Sequence, residues 1–146
     1  MNKIMKSKQV LDVQQMQHLQ ELGLDTSNAS ALYCIDNESG EKQLMWNEQV
    51  EETDKDDEYF RIVPAYTLQD VLDALPKYYH IANVGWTKLS IRVHTTKEWE
   101  IGYVYTNEVS KYAYGFRILG KELIDAAYEL LVWCVEQGYV ETNKNE

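Results

Sequence analysis

The chain has 146 residues, one domain's worth, and that length buries enough surface to fold without disulfides or metals. Apolar residues make up 45% of it and aromatic residues 12%, tyrosine alone accounting for 11 positions. The formal net charge of −10 repels phosphate backbones and anionic membranes, which disfavours general nucleic-acid binding; it permits a basic partner or serves only to keep the chain in solution.

A first helix opens at Asp12-Val13-Gln14-Gln15, a capping box in which an acidic N-cap and a Gln three residues on satisfy each other's backbone amides. Val13, Met16, Leu19 and Leu22 then recur on one face, and Gly23 is the left-handed terminator. Ala31 to Ile35 and Lys42 to Trp46 read as a hairpin around the turn residues Asp36-Asn37-Glu38-Ser39-Gly40. The stretch 48–58 has seven acidic residues in eleven and reads as an exposed, mobile loop. Tyr59 to Val63 forms a short strand that Pro64 is expected to end. Thr67-Leu68-Gln69-Asp70 caps a second helix, which Pro76 stops.

The segment from Lys88 to Ile118 carries the clearest two-residue periodicity. Leu89, Ile91 and Val93 alternate with Lys88, Ser90, Arg92 and His94, and Trp99, Ile101, Tyr103 and Tyr105 alternate with Glu98, Glu100, Gly102 and Val104. Matching the apolar faces sets Val93 opposite Trp99, Ile91 opposite Ile101 and, on the wetter side, Arg92 opposite Glu100 and His94 opposite Glu98. Tyr112, Tyr114, Phe116 and Ile118 continue the alternation and complete an antiparallel meander. The closing helix runs from about Lys121 to Gln137, with Gly138 as its stop and Tyr139 folding back. The expectation is a single α+β domain over 1–146, with a mostly antiparallel sheet (meander plus hairpin) and the N-terminal and long C-terminal helices packed on one face. Residues 1–6 and 141–146 are expected to fray.

No motif for catalysis, phosphate cradling or metal binding emerges. His18, His80 and His94 share no ligand spacing, and Cys34 and Cys134 form no CxxC pair. Both cysteines read as reduced core residues of a cytoplasmic protein. Asp54, Asp56 and Glu58 match the first ligand positions of a calcium loop, but its Gly and terminal Glu are missing: Tyr59 and Ala65 stand there. The expectation is therefore no catalytic residue, no cofactor and no metal. The lysine-bearing N-terminus lacks the apolar run of a secretory signal, and no apolar stretch is long enough to span a membrane.

The feature that invites a functional reading is the aromatic concentration at Tyr78, Tyr79, Trp86, Tyr103, Tyr105, Tyr112 and Tyr114. Aromatic residues on one sheet face form protein-recognition surfaces, and the same pattern describes a sheet's core face under a helix. Both readings stay open from the sequence.

Three stretches, Leu11 to Gly23, Val63 to Asp70 and Leu123 to Tyr139, together resemble a family of small uncharacterised proteins from prophages and other mobile elements of gut anaerobic bacteria. That family has no assigned activity, so the resemblance carries over no functional residues. It implies a bacterial cytoplasmic setting and a phage or mobile-element origin. The functional expectation is a non-enzymatic protein-interaction or accessory module. The alternatives are an acidic decoy imitating DNA and an enzyme with an unrecognised site.

Overall fold

The computed structural model describes residues 8–49, 59–81, 85–105 and 114–143, with the backbone alone at Gln49, Ile81 and Tyr114. The acidic residues 50–58 and Tyr112 lie outside the described residues. The fold is α+β. Strands β1 (Ala31–Asp36), β2 (Lys42–Trp46) and β3 (Phe60–Ala65) form one antiparallel sheet in the order β2-β1-β3. Strands β4 (Tyr78–Ile81), β5 (Gly85–Val93), β6 (Trp99–Tyr105) and β7 (Tyr114–Gly120) form a second antiparallel sheet in chain order. Helices α1 (Val13–Glu21), α2 (Leu68–Ala74) and α3 (Leu123–Glu136) complete it.

The helix ends follow from local chemistry. Asp12 Oδ1 accepts from Gln15 N at 2.8 Å and Gln15 Oε1 accepts from Asp12 N at 3.0 Å, so the capping box is closed in both directions. Thr67 and Asp70 do the same at α2, and Asp70 also accepts from Ser30 N and Oγ, which ties the helix start to β1. At the far end of α3, Gly138 takes φ +83°. Its N–H donates to the Val135 carbonyl while Tyr139 N–H donates to Cys134, a complete Schellman stop. Tyr139 is thereby laid against Tyr79, with ring centroids 4.3 Å apart.

One core joins both sheets and all three helices. Leu11, Met16 and Leu19 from the α1 region, Ile35 and Val63 from the first sheet, and Ile101 and Tyr103 from the second pack with Leu130, Leu131 and Cys134 of α3. Among the described residues no helix is long and apolar enough to cross a membrane.

Four expectations need correction. β3 runs through Pro64 rather than ending there, because β3 is an edge strand and a proline at an edge need not donate to a ladder. The hairpin belongs to a sheet of its own with β3, and the meander gains a fourth strand, β4, against its β5 edge. The register at Val93–Trp99 and Ile91–Ile101 holds, yet Ile91, Val93 and Trp99 are exposed, Val93 by 61%. Helix α3 lies over β6 and β7, so the far corner of the sheet projects past its cover. Finally, the expected wet face of β6 is dry: Glu100 is only 1% exposed, and Gly102 and Val104 are buried.

A candidate interaction face on the four-stranded sheet

Antiparallel pairing places partners on the same side of a sheet, so the register sorts the second sheet into two faces. One carries Tyr79, Thr87, Leu89, Ile101, Tyr103, Phe116 and Ile118, and α3 packs on it. Phe116 stacks on Trp133 at 4.2 Å, and Cys134 Sγ lies 3.6 Å from Tyr103 Oη. The opposite face carries Tyr78, His80, Trp86, Lys88, Ser90, Arg92, Glu100, Gly102, Val104, Arg117 and Leu119.

The aromatic set divides along this line. Tyr78 (62% exposed) and Trp86 (59%) stand on the open face, Trp86 edge-on to His80 at 5.4 Å. Tyr79 and Tyr103 are buried under α3 with their rings 4.5 Å apart, and Tyr105 is half-buried on their side. Tyr103 donates to the Pro76 carbonyl at 2.8 Å, which fixes the end of α2 to the sheet. Among the described residues the Tyr79 hydroxyl is buried without a hydrogen-bond partner. Tyr114 belongs to β7, where its backbone pairs with Val104 across a register shift. The surface half of the set is therefore Tyr78 and Trp86, and the core half is Tyr79 and Tyr103.

At the centre of the open face sits a carboxylate that two strands close over. Arg92 of β5 binds Glu100 Oε2 through Nε, and Arg117 Nη1 of β7 binds Oε1 at 2.7 Å. Two guanidinium forks compensate the cost of withdrawing Glu100 from water, and the carboxylate holds both forks over the central strand. Gly102 makes room for the second fork: a Cβ there would lie 2.2 Å from the Phe116 carbonyl oxygen and 2.7 Å from Arg117 Cα. Lys88 of β5 stands on the same face, two residues from Trp86 along the strand.

The Arg92–Glu100 pair was legible from strand register; Arg117 was not, although it alternates with Phe116 and Ile118 on a strand expected to join the meander. The histidines stay apart. His18 is exposed beside Tyr128, His80 faces Trp86, and the Thr96 hydroxyl lies between the His94 ring and the Glu98 carboxylate, to which it donates. Among the described residues no three His, Cys, Asp or Glu side chains converge as metal ligands. Burial pushes the Cys134 thiol up to about 11, an environment that suppresses thiolate chemistry.

A second concavity, of about 480 Å³, lies between β2 and the start of α2, lined by Val10, Ala31, Leu44, Trp46 and Leu68. It is apolar and carries no charged side chain.

Comparison with known proteins returned no matching family model, no matching curated protein and no matching solved structure.

Proposed function

We propose that this chain is a non-enzymatic protein-interaction module whose recognition surface is the open face of β4–β7. The observation that carries the reading is the placement of Tyr78, Trp86, Arg92 and Arg117 together on the sheet face opposite α3. Trp, Tyr and Arg are the residue types that dominate binding energy at protein interfaces. Here the aromatic pair is exposed on strands, and the arginines are held by a shared carboxylate, which reduces the ordering cost of binding. A DNA-imitating decoy asks for rows of carboxylates on its presenting face. The cations of this face argue for recognition instead.

The bacterial cytoplasmic setting and the phage or mobile-element origin belong to the same reading, and phage or mobile-element genes on either side of the coding sequence would support them. The interaction itself is tested by placing a photo-crosslinking p-benzoylphenylalanine at position 86 and, separately, at position 44 on β2. The expected result is a discrete adduct from position 86 that weakens when the exposed Tyr78 is replaced in Tyr78→Ala. Adducts from position 44 with none from position 86 would move the interface to the other sheet.

A further inference from the structure

We infer that β2 is a self-association edge: two copies of this chain pair their β2 strands antiparallel about a two-fold axis at Leu44, joining two three-stranded sheets into one continuous sheet. The inference concerns the first sheet and is independent of the reading of the β4–β7 face.

The hydrogen-bond pattern fixes which backbone groups of β2 look outward. Asn47 N–H donates to the Ser30 carbonyl at 3.0 Å and Asp36 N–H donates to the Glu41 carbonyl at 2.9 Å, so both ends of the hairpin fall on bonded pairs. Directly opposed residues of an antiparallel ladder alternate between bonded and non-bonded, which makes Leu32–Met45 and Cys34–Gln43 the bonded pairs between those ends. Lys42, Leu44 and Trp46 therefore turn their backbone groups away from β1. Among the described residues no strand lies on that side. Every residue of β2 except Met45 is exposed, Leu44 by 45%.

The other outer strands carry features that block pairing. The same alternation, continued across β1, makes Leu32–Pro64 a non-bonded pair and turns the Pro64 nitrogen outward on β3, where it has no N–H to give a further strand. β4 is four residues long, and the pairing of β7 with β6 shifts register at Tyr103/Val104. β2 pairs with β1 without a shift, and its one charge, Lys42, stands at its first position.

The strand is complementary to itself. When all five residues overlap, Leu44 meets Leu44 of the second copy, Gln43 meets Met45, and Lys42 meets Trp46 rather than another lysine. No like charges are opposed, and a cation faces an aromatic ring on each side of the axis. Leu44 also lines the concavity of about 480 Å³ with Val10, Ala31 and Leu68, so the pairing brings a second leucine to its rim. A five-residue edge is small against the roughly 1,200–2,000 Å² of a stable interface, which makes the association reversible and concentration-dependent. The charge of −10 on each copy opposes it, and salt screens that repulsion.

The test is sedimentation velocity of the full chain over a concentration series. The weight-average coefficient should rise from monomer toward dimer, more steeply as salt rises. Leu44→Lys and Leu44→Glu each set like charges against each other at the axis and should stay monomeric throughout. An equimolar mixture of L44K and L44E should regain the dimer, and that rescue shows that both variants fold. A photo-crosslinker at position 44 should give an adduct of twice the chain's mass. A wild-type coefficient that does not change with concentration would overturn the inference. So would a dimer that persists in L44K, a mixture that stays monomeric, or a position-44 adduct only at some other mass, which would place a different protein on this edge. None of these results bears on a crosslink from position 86.

Discussion

Tyr78 and Tyr79 are neighbours in sequence and lie on opposite sides of the second sheet, the first 62% exposed beside Trp86 and the second 6% exposed between Tyr103 and Tyr139. A strand alternates its side chains by geometry, so one dipeptide contributes to the core and to the open face at once. The division between structural and recognition aromatics in this chain follows from that alternation.

The two buried phenols should respond oppositely to loss of the hydroxyl. Tyr79 Oη has no partner among the described residues, and an orphaned buried hydroxyl costs about 1–3 kcal/mol, so Tyr79→Phe should leave stability unchanged or raise it by about 1 kcal/mol. Tyr103→Phe removes the bond to the Pro76 carbonyl and should destabilise by about 1 kcal/mol. Urea denaturation of the two variants side by side checks the contrast.

Gly102→Ala should destabilise by about 2–3 kcal/mol, at the upper end of overpacking costs, because the added methyl meets backbone atoms of β7 rather than a movable side chain. The readout is a lowered thermal midpoint. An unchanged midpoint would mean that β7 approaches β6 less closely than described.

Glu100→Ala should cost about 2–3 kcal/mol, less than the loss of a partner in a fully buried ion pair, since Arg92 and Arg117 are half exposed and regain water. Arg117→Ala should be at least as damaging, because it leaves a buried carboxylate with one fork in place of two. Chemical denaturation of both variants measures the order.

Alkali should unfold the protein through its phenols. Burial pushes Tyr66 up to about 12, with the Asp70 and Asp25 carboxylates adding to it, and burial likewise raises Tyr79 and Tyr103. A folded state with raised phenol pKa values holds protons that the unfolded chain releases. The associated stability is complete below the ordinary tyrosine value of about 10 and is lost as pH climbs from there toward about 12. A spectrophotometric titration followed alongside circular dichroism checks this. The buried phenols should ionise together with loss of circular dichroism.

What could be read in advance was local. Both capping boxes, the glycine stop at Gly138 and the register of β5 on β6 depend on residues a few positions apart or on one matched alternation. What could not be read depended on how elements are placed. β4 is four residues long and begins two residues after Pro76, too short for its period to show. The partition into two sheets and the reach of α3 are tertiary facts, and they decide that Val93 is exposed and Glu100 buried, against the pattern of hydrophobicity. The candidate face was legible by halves. Tyr78, Trp86 and the Arg92–Glu100 pair lay in the pattern, while Arg117 joined them only once β7 was seen to pass so close at Gly102.

The account depends on Trp86 standing in solvent on the sheet face opposite α3. The most direct measurement is collisional quenching of the Trp86 fluorescence, obtained as the difference between wild type and Trp86→Phe, with iodide and caesium compared at equal ionic strength. Each ion should quench the Trp86 component with a constant that is a large fraction of its own constant for free N-acetyltryptophanamide. No quenching by either ion would contradict the placement of Trp86 in solvent on this face.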